Sequence, residues 1–117
     1  MPENTKGAII AASKELLQKM VEANGVEIND IAAILFTTTP DLNAEFPAAA
    51  ARELDWSQVA LLCGHEMNVP GSLPHCLRIL VLFNTEKRND EIVHIYLKGT
   101  EGLRADAEKV RLDEDKV

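Results

Sequence analysis

Cys76-Leu-Arg-Ile-Leu-Val-Leu-Phe-Asn84 is a short apolar run carrying one charge. Its leucine, isoleucine, valine and phenylalanine content reads as a β-strand. Strand side chains alternate between faces. Leu77, Ile79, Val81 and Phe83 share one face, and Cys76, Arg78, Leu80 and Leu82 share the other. A guanidinium among apolar neighbours requires an anionic partner, because an unpaired buried charge is very costly. Two readings of Arg78 stay open: an internal salt bridge, with Glu66 as candidate partner, or a cation that binds a ligand.

Working outward, Ile31-Ala-Ala-Ile-Leu-Phe-Thr-Thr38 is a second apolar run, suited to a buried strand and ended by the Pro40-Asp41 turn. Residues 58–63 and 92–97 read as two further strands. Residues 5–24 carry Ile9, Ala12, Leu16, Leu17 and Met20 on one helical stripe. Asn4 or Thr5 can cap that helix, and Asn24-Gly25 supplies its stop. A second helix is predicted over 47–54, with Pro47 at its first position and four alanines behind it. Gly99 and Gly102 allow a turn before Leu103-Arg104. Beyond Ala105 the composition is charged and flexible in character. The order helix, strand, helix, strand, strand, strand implies an α+β domain over 1–104, helices packed on a small mixed sheet, with a tail at 105–117.

The chain has 117 residues, enough for one domain with a modest core that oligomerisation would help. A net charge of −7 argues against nucleic acid or an anionic membrane as partner. Aromatics are 4% of the residues, too few for a base-stacking surface. Two cysteines, no apolar run of spanning length and no signal peptide lead us to expect a cytoplasmic protein with reduced thiols.

The chemistry-bearing residues are few. Arg52 ends the alanine helix, where a cation also complements the helix dipole. Glu66 precedes a turn and by itself reads as a solvated carboxylate. Cys63 ends a strand and suits a small buried hydrophobe. Tyr96 alternates with buried positions and suits a structural hydrogen bond. His65-Glu66 lacks the second histidine of a zinc-binding helix, since Val69 stands there. No Gly-rich phosphate loop and no Gly-x-Ser-x-Gly elbow is present. Neither metal nor organic cofactor is expected. The residues suggest an anionic small molecule bound by placed charges.

Several long, ordered segments resemble the monofunctional AroH-type chorismate mutases. These are Thr38-Thr-Pro-Asp-Leu-Asn-Ala-Glu-Phe-Pro-Ala, continuing to Ala51-Arg52; Glu66 with Val69-Pro-Gly-Ser-Leu; Cys76-Leu-Arg78; and His94-Ile-Tyr-Leu97. The resemblance spans roughly residues 3–104. It implies a homotrimer with clefts between subunits and rearrangement of chorismate to prephenate, a step towards phenylalanine and tyrosine. It also implies that Phe46, Ala48 and Arg52 come from one subunit, and Cys63, Glu66, Arg78 and Tyr96 from its neighbour. Leu103 and Arg104 would close over the site. Arg78 and Glu66 would carry the catalysis.

Family members usually begin with a strand containing Arg-Gly-Ala, and this sequence opens Met1-Pro2-Glu3-Asn4-Thr5, without that strand or its arginine. Ala49 and Ala105 also depart from the residues common in the family. The alternative these departures allow is a chorismate-mutase-like trimer that binds carboxylates and turns over poorly. A RidA-like imine deaminase shares a trimeric α+β outline, but Phe46-Pro47 and Gly71-Ser72-Leu73 count against it.

Overall fold

A computed structural model describes residues 2–56 and 58–97. Helix α1 covers Lys6–Asn24. Thr5, in an extended conformation, caps it by accepting the Ala8 N–H, which satisfies one of the orphan donors of the first turn. Gly25 ends it in the left-handed region at φ 60°, where a residue without a Cβ is unstrained. Asn4 serves elsewhere: its side-chain oxygen accepts the N–H groups of Asn43 and Ala44. Ile9, Leu16 and Leu17 are buried as the stripe predicts, and Ser13 joins them by donating its hydroxyl to the Ile9 carbonyl at 2.7 Å.

Strand β1 is Ile31–Thr38, helix α2 is Ala49–Glu53, and strands β2 and β3 are Ala60–His65 and Leu77–Phe83. The sheet order is β2-β1-β3, with β1 parallel to β2 and antiparallel to β3. The expected mixed sheet with helices on it is therefore present. Ile34, Phe36, Leu17, Ala50, Ala51 and Trp56 belong to one core cluster beneath the helices. Burying each larger side chain there contributes roughly 1.5–3 kcal/mol.

Three element boundaries differ from the sequence reading. Helix α2 begins at Ala49 because Pro47 sits in the turn before it, where Ala49 N–H bonds the Phe46 carbonyl and Ala50 N–H the Pro47 carbonyl. Strand β2 begins at Ala60, two residues late, because Val59 is still tied by its N–H to the Trp56 carbonyl in a turn. Cys76 lies just ahead of β3 and is buried, so the alternation that placed it on the Arg78 face starts only at Leu77.

The fourth correction is larger. Residues 92–97 form no strand. Asn24 holds this segment instead: its side chain accepts the Val93 N–H at 2.8 Å and donates to the Val93 carbonyl at 2.9 Å. A groove of about 580 Å³ is lined by α1, β3 and this segment, and the outer edge of β3 has no partner strand among the described residues. The β-rich composition predicted a strand, but a strand needs a partner to form a ladder, and this segment is tied to α1 through Asn24 instead. The predicted turn at Gly99 and Gly102 and the tail at 105–117 lie outside the described residues.

Candidate functional site

Arg78 stands in β3 opposite Thr37 of β1. Glu66 follows the last residue of β2, His65, which stands opposite Thr38. The central strand thus brings β2 and β3 together at one end, and the Glu66 N–H donates to the Thr38 carbonyl at 2.8 Å. Arg78 Nε lies 3.1 Å from Glu66 Oε1, with side-chain exposures of 54% and 20%. The internal salt bridge of the first reading is present, but Arg78 is open to solvent rather than buried among apolar neighbours. An ion pair so exposed contributes about 0–1 kcal/mol to stability, so it does not hold the fold.

The open face around this pair is apolar. Leu62, Leu80 and Leu82 are 63%, 55% and 47% exposed. Arg78 and Tyr96 line the groove beside β3, with His94. Cys76, missed as a site candidate, adjoins the pair: burial pushes its thiol above the ordinary value, while a hydrogen bond with Arg78 works against that shift. Its position two residues before Arg78 was the available signal.

Other candidates lie apart from the pair. Cys63 alternates inward on β2 and packs on the core cluster, on the helix side of the sheet. Ala48 is buried in the same cluster. Phe46 is 66% exposed in the turn before α2. Arg52, on α2 in the helix layer, is exposed and has no ion-pair partner among the described residues. Arg52 and Arg78 therefore lie on opposite sides of one sheet. Leu103 and Arg104 fall outside the described residues.

Two consecutive threonines secure this end of the sheet. Thr38 donates its hydroxyl to the Leu42 carbonyl at 3.1 Å, and that hydroxyl lies 3.2 Å from His65 Nδ1. Thr39 meets Cys76 twice: its N–H donates to the Cys76 carbonyl at 2.9 Å, and its hydroxyl accepts the Cys76 N–H at 2.9 Å. The Thr39 hydroxyl in turn donates to Asp41 Oδ1. This bond is the main reason the Asp41 carboxyl is held below the ordinary carboxylate value, with the His75 N–H contributing. Among the described residues no group of three or more His, Cys, Asp or Glu side chains could hold a metal ion.

A family model described as chorismate mutase type I matches residues 1–107. The chain is 46% identical over 110 residues to the chorismate mutase AroH of Thermus thermophilus, covering 93% of this chain and 90% of that one. It is 39% identical over 104 residues to the chorismate mutase AroH of Bacillus subtilis, covering 88% and 82%. The fold is similar to a solved chorismate mutase from Clostridium thermocellum, with a TM-score of 0.83, 46% identity, and coverage of 86% of this chain and 89% of that one.

Proposed function

The chain belongs to the type I chorismate mutase family, and from that premise we propose that it converts chorismate to prephenate at sites shared between subunits of a homotrimer. The observation that carries this reading is the Arg78–Glu66 pair, half open to solvent on an apolar sheet face. The binding-only alternative gains nothing from the relatives, which are named as enzymes.

The rearrangement is pericyclic and unimolecular, so no nucleophile or proton shuttle is required of the residues. The substrate is a dicarboxylate. As its C–O bond breaks, negative charge gathers on the ether oxygen. A guanidinium fixed at that point favours the transition state over the ground state. In this reading Arg78 bridges the ether oxygen and one carboxylate, and Glu66 orients Arg78 while addressing the ring hydroxyl. Tyr96 holds the same carboxylate as Arg78. Confinement of the substrate in its compact conformer brings the reacting carbons together.

The placement of charges supports this assembly. Within one subunit the sheet stands between Arg52 and Arg78, so a single cleft can use both only if they come from different copies. Phe46 and Arg52 of one subunit face Glu66, Arg78 and Tyr96 of the next, with Leu103 and Arg104 at the mouth. The apolar open face supplies a surface for association. No helix among the described residues is long and apolar enough to cross a membrane, and the cytoplasm is the compartment we assign. The direct test is loss of chorismate absorbance with purified protein. Sustained turnover abolished in Arg78→Ala supports the reading, whereas a parent protein inert on chorismate refutes it.

A further inference from the structure

The turn Thr39-Pro40-Asp41-Leu42 poses a hydrogen-bonding problem at the start of β3. The Thr39 carbonyl is taken by the Leu42 N–H at 3.0 Å. It is therefore committed to the turn, while the Cys76 N–H, in a residue 1% exposed, still requires an acceptor. The Thr39 hydroxyl supplies it. That hydroxyl can rotate, and its proton is fixed by donation to Asp41 Oδ1, which leaves a lone pair for Cys76.

Asp41 does more than hold a rotor. Its two carboxylate oxygens accept the His75 N–H at 3.2 and 3.1 Å. His75 is a non-glycine residue at φ 48°, a conformation that persists only where its surroundings enforce it. The His75 ring adds contacts at 3.2 Å from Nδ1 to the Pro2 carbonyl and 3.6 Å from Nε2 to Asp41. The backbone leaving this held bend is Cys76, Leu77 and then Arg78.

We propose that Thr39 and Asp41 are positioning residues for the reaction: the Asp41-braced Thr39 hydroxyl fixes Cys76 and His75, and thereby places the Arg78 guanidinium against Glu66. The inference rests on the assigned chorismate mutase activity. Neither residue is assigned a contact with substrate. Their effect is on where the catalytic cation sits, and a displacement of the order of 1 Å can lower turnover about 100-fold.

The test compares kcat and KM for chorismate in the parent, Thr39→Val, Thr39→Ser, Asp41→Ala and Asp41→Asn. Thr39→Val and Asp41→Ala lower kcat by about 10- to 100-fold with KM within a few-fold. Thr39→Ser keeps the hydroxyl and Asp41→Asn keeps an acceptor oxygen, so each recovers most of the loss. In an Arg78→Lys background Thr39→Val costs only a few-fold more, because the loss is already taken through the same residue. Asp41 is exposed, so Asp41→Ala decides the matter if Thr39→Val does not fold. Parental kcat in Asp41→Ala, or losses that multiply fully with Arg78→Lys, overturns the proposal while leaving the activity assignment standing. A parent protein inert on chorismate overturns the assignment itself.

Discussion

The two faces of the sheet come from the same three strands and differ completely in how they are finished. On the helix side Ile34 and Phe36 are 0% and 1% exposed, and α1 and α2 cover them. On the other side Leu62, Leu80 and Leu82 stand open around Arg78. Alternation along a strand makes this contrast possible, because residues one apart in sequence face different surroundings. The helix side is a finished core that holds the fold. The open side is apolar and uncovered among the described residues, and the charged pair lies on it.

Substitutions can break the comparison at either face. The largest effect on chemistry belongs to Arg78→Lys, which keeps the charge and loses the planar fork. Turnover falls by about 100-fold or more, by analogy with removal of an oxyanion-hole donor, and the change appears in kcat more than in KM. A variant within a few-fold of the parent removes the role given to Arg78. The exposed pair contributes little to the fold, so the melting temperature of this variant stays near the parent's.

Ile34→Ala and Leu80→Asp sharpen the contrast further. The first opens a cavity in the finished core and lowers unfolding stability by about 2–5 kcal/mol. The second leaves that core intact but places a charge on the open face. Its expected outcome is a folded subunit of reduced size in sedimentation, with activity lost on dilution. A fully assembled, active Leu80→Asp protein contradicts the reading of the open face as an interface.

The smallest effects come with pH. The rearrangement moves no proton, so turnover stays nearly flat from about pH 6 to 9. A bell-shaped profile centred near neutrality points to a different reaction. Acid stability carries the mark of Asp41. Its carboxyl is lowered in the folded protein, first by the Thr39 hydroxyl. The stability it contributes is therefore fully present above the ordinary Asp value of about 3.9, and is lost as pH falls through the lower folded value. The melting temperatures of parent and Asp41→Asn converge on acidification below about pH 4. A difference unchanged across that range removes the brace.

Much of this was legible in the sequence where a pattern is local. Strand β1 has the predicted bounds, the α1 stripe is buried at Ile9, Leu16 and Leu17, and Gly25 stops the helix, because periodicity and capping act within a few residues. Arg78 stood out as a lone charge in an apolar strand, with Glu66 as a candidate partner. What escaped depends on distant neighbours. Whether residues 92–97 form a strand turns on a partner edge that no local pattern encodes. The exposure of Arg78 likewise follows from the face left uncovered, and the Thr39–Asp41 brace from a carbonyl already used in a turn. Cys63 shows the limit of transfer from the resemblance: its strand was found, yet its side chain packs towards the core within a single subunit.

The central claim is that one site draws Arg52 from one subunit and Arg78 from another. Mixing Arg52→Ala and Arg78→Ala, each expected to be inactive by itself, under conditions that exchange subunits tests it directly. In a ring of three with heterologous contacts, each mixed trimer contains one site with both arginines intact, so an equimolar mixture reaches about a quarter of parental activity. Recovery towards that level is the predicted result. Activity no greater than the sum of the two variants, with exchange confirmed by mass spectrometry, contradicts the shared site.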